Sequence, residues 1–419
     1  MTDKKTHKGK EIKSGLAVQS LFTTDTPGFP FTVITERGNS LYFVRQDGII
    51  YEFKNGNSTT FLDIRSQVQY GAQQGLLGLA FNGDKKGHFF LWYTENELFG
   101  TPPSPTPPWV NRTTKFSHIN RLEEWKIEKT GPIPLRTLLR IRHPFNDNNG
   151  VNNIFYDSKN RLILATGDGG SLAIEDGGDS FDPFNLAQND NELFGKLLAI
   201  DIKDHLWSKL TPSDPVTQVS ELGQLIQLIK VIGKGIRNPS RIDEKDGIKF
   251  LSVSGQRAME YAFAFQSYKK NFGWRPIEGR VPTLGNQNQV VYPTEVFTLL
   301  DKNNIWMPIV SYANSGVTNL PSTVIQGDSI TGVDIYRGKI KGLKDSLILT
   351  DLNGLVLVAK LPDHPDENEL QIPRKVKVVN VQPLPAPLIT TLFITRKNQI
   401  LIGVFGASEP AQVVELSTE

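Results

Sequence analysis

The 419-residue chain contains no cysteine, which excludes disulfides, thiolate metal sites and cysteine nucleophiles. It also has no excess of charge of either sign, because 46 lysine and arginine residues are balanced by 44 aspartate and glutamate residues. This balance gives no general electrostatic reason to expect a nucleic acid or an anionic membrane as a partner. No stretch approaches the roughly 18 continuous apolar residues that a membrane span requires. We therefore expect no nucleic-acid partner and no membrane span.

The first segment, residues 1–15, is polar and rich in lysine, and it lacks the apolar stretch of a secretory signal peptide. We interpret it as a polar N-terminal tail, followed by a single domain over residues 16–419. A hydrophobic content of 38% is enough for a substantial core. The sequence is typical of a soluble protein, and it leaves the compartment and the oligomeric state open.

Strand patterns recur along the whole chain. Residues 40–44 and 49–53 are rich in β-branched and aromatic residues and are separated by Gln46-Asp47-Gly48, which predicts a hairpin. Similar runs occur at 88–93, 161–165, 249–253 and 399–404. Such strand pairs, interrupted by glycine, asparagine and aspartate, indicate an all-β propeller or sandwich. Residues 220–229 are compatible with either a short helix or a strand.

Several short motifs follow one another in a fixed order. They are LDIR at 62–65, QQGLLGLAF at 73–81, TGDGG at 166–170, GKLL at 195–198, GIRNP at 235–239, SGQ at 254–256, NFGW at 271–274, EG at 278–279, and ITG at 330–332 with YRG at 336–338. Each alone could arise by chance, but together they extend over most of the chain. In this order they resemble the soluble sugar dehydrogenases that depend on pyrroloquinoline quinone, the glucose/sorbosone dehydrogenase family. The resemblance implies one all-β domain, a six-bladed β-propeller.

The resemblance also implies a reaction and its cofactors. Pyrroloquinoline quinone would lie over one end of the propeller with a Ca²⁺ ion that polarises it, and a small sugar or glycan would be the partner. A base removes the anomeric hydroxyl proton while hydride passes to the quinone. Arg237 would stabilise the reduced quinone and Asp168 would assist the base. Read as structural residues instead, Arg237 would pair with an acid at a blade edge and Asp168 would only support its turn.

Five further residues match positions with binding roles in the family. Gln73, Asn238 and Arg257 would contact the cofactor or the substrate. Gly255 and Gln256 align with residues whose backbone carbonyls bind calcium, a role that depends on backbone geometry more than on side-chain identity. Gln73 could equally be an ordinary loop residue.

The chain departs from the family at the catalytic base. The segment ending in Asn148, Asn149 and Gly150 resembles the family segment that carries the base, a histidine at the position of Asn148, or of Asn149 under a shifted gap. An amide side chain cannot accept a proton near neutral pH. His143 precedes this segment, and we interpret it as a loop histidine bonded to the backbone rather than as a replacement base.

Two functions from different classes therefore stay open. If the protein is active, it oxidises an aldose at the anomeric carbon and transfers hydride to the quinone. The alternative is a catalytically silent propeller that serves as a carbohydrate-binding or structural assembly module; lactone hydrolysis on a calcium-bearing propeller is a third, less favoured interpretation. Because Asn148 cannot act as a base, we expect dehydrogenase activity to be weak or absent and to rise on Asn148→His.

Overall fold

The structure is a computed structural model, and it describes residues 15–71, 73–83, 87–96, 118–143, 149–170, 185–209, 215–282, 305–361 and 373–418. The strands up to residue 143 are β1 (Ala17–Pro27), β2 (Phe31–Arg37), β3 (Ser40–Arg45), β4 (Ile49–Lys54), β5 (Asn57–Asp63), β6 (Leu76–Phe81), β7 (His88–Thr94), β8 (His118–Glu128) and β9 (Gly131–His143). The next strands are β10 (Ile154–Tyr156), β11 (Leu162–Ala165), β12 (Lys196–Ile200), β13 (Ile229–Lys234), β14 (Asn238–Lys245), β15 (Ile248–Ser254), β16 (Met259–Phe265), β17 (Lys270–Asn271), β18 (Ile277–Glu278) and β19 (Val281–Pro282). The last strands are β20 (Val310–Asn314), β21 (Gln326–Gly327), β22 (Ile330–Tyr336), β23 (Ser346–Asp351), β24 (Val356–Lys360), β25 (Val376–Val378), β26 (Leu388–Ile394), β27 (Ile400–Gly406) and β28 (Glu409–Ser417).

These strands form six blades. From the inner to the outer strand, the blades are β2-β3-β4-β5, β6-β7-β8-β9, β10-β11-β12-β13, β14-β15-β16-β20, β22-β23-β24-β25 and β26-β27-β28-β1. The short strands β17 and β21 add to the third and fourth blades in parallel, and β18 pairs with β19 in a separate hairpin. The hairpin predicted over residues 40–53 is present, with Val44 of β3 opposite Ile50 of β4. The prediction of an all-β, six-bladed propeller is confirmed.

The ring is closed by the two ends of the described chain. Strand β1 pairs antiparallel with β28, so that Ala17 lies opposite Ser417 and the N-terminal strand becomes the outermost strand of the sixth blade. The inner strands contact one another in the cycle β2, β6, β10, β14, β22, β26 and back to β2. Leu16, just before β1, is buried and bridges Val381. Residues 1–14, which form nearly all of the expected polar tail, lie outside the described residues.

Apolar side chains fill the spaces between neighbouring blades. Phe43 of the first blade packs in a cluster with Leu401 of the sixth, for example, and Ile163 of the third with Phe263 of the fourth. Similar buried clusters join the other neighbouring pairs of blades. Since burial of one such side chain is worth about 1.5–3 kcal/mol, these clusters hold the blades at fixed angles and fix where their loops meet.

Residues 220–229 divide between the two structures left open by the sequence. Val219–Gln227 is a 3₁₀ helix interrupted at Gly223, where φ is +53°, and β13 begins at Ile229. A second 3₁₀ helix spans His205–Ser208. Within the described ranges, no helix has the length and apolar character needed to cross a membrane.

Candidate active site

Three loops that precede inner strands meet at one end of the propeller. The Asn238 side chain, at the start of β14, donates to Gln73 Oε1 over 3.0 Å, and its Oδ1 accepts from the backbone N–H of Gly150. Asn149 Nδ2 donates to the backbone carbonyl of Gln73 over 3.0 Å. These contacts link the second, third and fourth blades through residues far apart in the sequence. The structure therefore brings Gln73 and Asn238 together at this end.

Asp168 lies at the same end, in the turn that follows β11, and is fully buried. Its backbone N–H donates to the carbonyl of Arg237 over 2.7 Å. Its Oδ1 accepts from the N–H of Gly170, and its Oδ2 accepts from the indole Nε1 of Trp274 over 2.6 Å. The turn bond matches the structural interpretation of Asp168, and the indole bond also fixes the orientation of its carboxylate. Trp274 is a buried donor at this site.

Arg237 is anchored to the loop that carries the predicted calcium ligands. Its Nη1 donates to the carbonyls of Ser254 and Gly255 over 3.0 and 2.7 Å. Its guanidinium carbon lies 5.7 Å from the centroid of the Trp274 ring, within the range of a cation–π interaction. A permanent cation is therefore held, largely buried, between the turn of Asp168 and the Gly255 loop.

The Gly255 loop is shaped by one carboxylate. Glu278 Oε1 accepts the backbone N–H groups of four consecutive residues over 2.8–3.1 Å, namely Gln256, Arg257, Ala258 and Met259. A Cβ at residue 255 would clash with the carbonyl of Met259, so this tight loop requires glycine. The sequence motif contained Glu278, but it gave no sign that the side chain organises the loop.

The oxygens of this loop are compatible with a hard cation. Gln256 Oε1 is buried and has no hydrogen-bond partner among the described residues, although a buried carbonyl oxygen normally has one. The Gly255 carbonyl accepts from Arg237 and retains a second lone pair. Among the described residues, no group of three or more histidine and acidic side chains forms a metal site. A calcium ion here would thus depend on carbonyl and amide oxygens, as the resemblance implies, and Gly255 and Gln256 stay predicted ligands.

Two arginines could serve an anionic cofactor at this end. Arg237, in the loop before β14, is buried. Arg257 is exposed on the Gly255 loop after β15, where Glu278 holds its backbone. Guanidinium groups are suitable partners for the carboxylates of a quinone cofactor. The residues present therefore fit such a group, and the roles of both arginines stay predictions.

A buried acid lies behind the Gly255 loop. Glu260 Oε2 accepts from the N–H of Ile330 over 2.8 Å, and Oε1 accepts from the side chain of Asn314 over 2.9 Å. Burial raises the pKa of Glu260 to about 8, and the neighbouring Asp351 carboxylate raises it further, against the effect of those two hydrogen bonds. A pKa of about 8 favours the neutral form of Glu260 at neutral pH.

The site also contains two stacked histidines, which the sequence did not reveal. His118 and His143 are both buried, and their ring centroids lie 4.6 Å apart with an interplanar angle of 16°. His118 Nε2 donates to Asn149 Oδ1 over 2.7 Å, and the amide of Gln74 donates to His118 Nδ1 over 3.1 Å. Asn149 Oδ1 also accepts from Asn120. The pairing of β8 with β9 places these two histidines opposite each other. The sequence did not show this pairing.

Asn148, the expected replacement for the family histidine, lies outside the described residues. Its neighbour Asn149 has each side-chain atom engaged, so an amide at that position is a structural member of the network. His143 is the last residue of β9 rather than a loop residue, and its ring packs on His118. The interpretation of His143 as a loop histidine was therefore wrong.

The opposite end of the central channel has a different lining. A cavity of about 570 Å³ lies at the far ends of the inner strands and contains none of the predicted site residues. Arg241 there bridges Asp243 and Asp334 at 2.8 and 3.0 Å. Its cation is thus paired with two acids. The predicted site residues that the structure describes therefore lie at the end that carries Arg237, away from this cavity.

Comparisons with known proteins add to this geometry. No protein-family model matches the chain. The chain is 25% identical to the HIPL2 protein of Arabidopsis thaliana over 321 residues, which cover 67% of this chain and 42% of that protein. The chain spans less than half the length of the curated relatives it matches.

Similar solved structures include two carbohydrate-active propellers. The PQQ-bound aldose sugar dehydrogenase of Streptomyces coelicolor superimposes with a TM-score of 0.60 at 16% identity, over 95% of this chain and 98% of that one. The calcium structure of a family AA12 carbohydrate-active enzyme from Trichoderma reesei gives a TM-score of 0.53 at 11% identity, over 96% and 95% of the two chains. At these identities the likeness establishes the fold that the chain shares with these enzymes.

Proposed function

We propose that this chain, which has the fold of the soluble quinone-dependent sugar dehydrogenases, oxidises an aldose at its anomeric carbon with pyrroloquinoline quinone as the electron acceptor. The observation that carries the proposal is the placement of Arg237, a buried cation that is bonded to the Gly255 carbonyl and lies over the ring of Trp274, whose indole donates to the Asp168 carboxylate. A dehydrogenase site of this class needs a fixed cation, an orienting acid and hard oxygen ligands at one place.

The residues have separate parts in this proposal. When bound, the quinone supplies a two-electron acceptor for the hydride of the sugar. Arg237 stabilises negative charge that develops next to it, since its position is fixed before the reaction and needs no reorganisation. Arg257 binds a carboxylate of the cofactor, and the oxygens of Gly255 and Gln256 hold the calcium ion. Gln73 and Asn238, bonded to each other, present amide groups to the sugar.

Asp168 is a positioning residue in this scheme. Both of its oxygens accept hydrogen bonds, from Trp274 and from the turn, and these bonds fix the orientation of the carboxylate. A carboxylate fixed in this way orients a neighbouring base and stabilises the positive charge that the base acquires.

The alternative function is a silent propeller that binds carbohydrate or supports an assembly. The specific observation in its favour is the amide at position 148, where the family has a histidine. Under this alternative the site would bind sugar or cofactor but would transfer no hydride.

Two experiments together separate the two functions. The first is an absorbance titration of the purified protein with quinone, with and without Ca²⁺. The second is dye reduction with a panel of aldoses. The dehydrogenase proposal expects saturable quinone binding that Ca²⁺ strengthens, and aldose-dependent dye reduction. Quinone binding without any turnover would support the silent propeller, and no quinone binding at all would contradict the dehydrogenase.

A further inference from the structure

His143 lies against the turn that carries Asp168. A Cβ placed on Gly169 would be 3.3 Å from Cε1 and 3.7 Å from Nδ1 of the His143 ring. Gly169 has φ +87°, which favours glycine, and the absence of a side chain there leaves room for the imidazole. On another side, the Phe194 ring meets His143 edge-on at 5.1 Å. The imidazole is thus held against the turn that carries Asp168.

His118, which stacks on His143, cannot accept the substrate proton, because both of its ring nitrogens already form hydrogen bonds. Its Nε2 carries the hydrogen donated to Asn149, and its Nδ1 accepts from the Gln74 amide. Burial lowers the pKa of His118 to about 4, although the bond to Asn149 opposes this effect. The ring is therefore neutral in the physiological range. Its neutrality removes the repulsion that a second charged ring would exert on a protonated His143.

We propose that His143 is the general base of the sugar oxidation, in place of the family histidine that Asn148 replaces; this inference rests on the proposed function. The anomeric O–H bond breaks and its proton goes to a ring nitrogen of His143. The anomeric C–H bond breaks and its hydride goes to the bound quinone, so the sugar becomes a lactone and the quinone is reduced by two electrons. The turn against which His143 packs carries Asp168, whose backbone is bonded to that of Arg237. In this proposal the Asp168 carboxylate stabilises the imidazolium that forms.

The test compares His143→Ala with the wild type and with His205→Gln, a change at a largely exposed histidine. Turnover is measured by dye reduction with quinone and Ca²⁺ saturating, quinone affinity by absorbance, and folding by thermal unfolding. We expect His143→Ala to lower kcat/KM by about 10²- to 10⁴-fold, the usual contribution of a positioned base, and to leave quinone affinity unchanged. Added imidazole should restore part of the activity of His143→Ala, because it supplies a base in the space that the removed ring leaves.

The outcomes are distinguishable. If the wild type oxidises sugars and His143→Ala has the same kcat/KM, the role of His143 is overturned and the proposed function stands. A folded, inactive His143→Ala that imidazole does not rescue would show a structural role and also overturn the inference. A wild type that binds no quinone, or oxidises no aldose, would overturn the proposed function itself. If His143→Ala does not fold, His143→Gln takes its place, because glutamine keeps more of the side-chain volume. The double variant His143→Gln/Asn148→His then replaces imidazole rescue. Its activity should recover relative to His143→Gln.

Discussion

Arg237 donates from Nη1 to the carbonyl oxygen of Gly255 over 2.7 Å, and this bond joins the loop before β14 to the loop after β15. The same arginine accepts, through its own carbonyl, the backbone N–H of Asp168. One residue thus connects the proposed cation, the proposed calcium loop and the orienting acid. A change at Arg237 should affect all three.

We expect Arg237→Met to weaken quinone binding by about tenfold or more, equivalent to at least 1.4 kcal/mol, because the fixed cation is lost. The free energy of unfolding should also fall by about 1.5–3 kcal/mol, the usual value of a hydrogen bond to a charged group. Absorbance titration and urea unfolding measure the two effects. The matched control is Arg396→Met at the other end, where the side chain is 80% exposed. Equal quinone affinity in both variants would contradict the role of Arg237.

We expect Glu278→Ala to destabilise the protein by about 3–5 kcal/mol, since four backbone N–H groups lose their common acceptor. Glu278→Gln keeps a carbonyl oxygen and should cost less. Urea unfolding gives the ranking, and Ca²⁺ titration of the two variants reports on the shape of the loop. If alanine and glutamine are equally tolerated, the four bonds do not hold the loop.

Glu260 should make stability fall as the pH rises from about 4.5 to about 8. Over this range the unfolded chain loses the proton and the folded protein keeps it, so the contribution is full below the unfolded pKa and is lost as the pH passes the folded one. Its size is on the order of a few kcal/mol, at about 1.4 kcal/mol per pKa unit. The measurement is the difference in unfolding free energy between wild type and Glu260→Gln at several pH values. A difference that does not change with pH would be evidence against the raised pKa.

His118 should remain neutral until the pH approaches 4, with its hydrogen on Nε2. Long-range ¹H–¹⁵N correlation spectra of histidine-labelled protein distinguish the two tautomers and follow the ring signals during an acid titration. Asn149→Asp provides a comparison, because a carboxylate at this position would stabilise the charged ring and raise the pKa of His118. Signals of wild-type His118 that shift between pH 7 and 5, or a hydrogen found on Nδ1, would show that the network is arranged differently.

Asn148→His should restore sugar oxidation to a protein that lacks His143. In a His143→Gln background it supplies an imidazole at the position where the family has its base, and we expect at least about a tenfold gain in kcat/KM. In the wild-type background the gain should be smaller, since His143 already accepts the proton. Dye reduction with one aldose measures both changes, and Asn148→Gln is the matched control. A large gain in the wild-type background with no effect of His143→Gln would assign the role of base to position 148 alone.

The sequence by itself determined the strands and the order of the site loops. The runs at 40–44 and 49–53 became β3 and β4 because the alternation of apolar residues and the turn between them are local properties. Gln73, Asp168 and Arg237 each lie close to a glycine in their motifs, and the structure places all three outside the regular strands, because glycine favours turns.

Only the tertiary structure decided how these loops meet and what their side chains contact. The pairing of Ala17 with Ser417 closes the ring between the two ends of the described chain, and no local pattern encodes it. The stacking of His143 on His118 follows from the register of β8 and β9. The packing of one blade on the next then places the turn of Asp168 against the His143 ring. Side-chain chemistry is local, but the direction in which a side chain points depends on the packing of all six blades. For this reason the sequence could identify the missing histidine at position 148, whereas only the fold could show an imidazole beside Gly169.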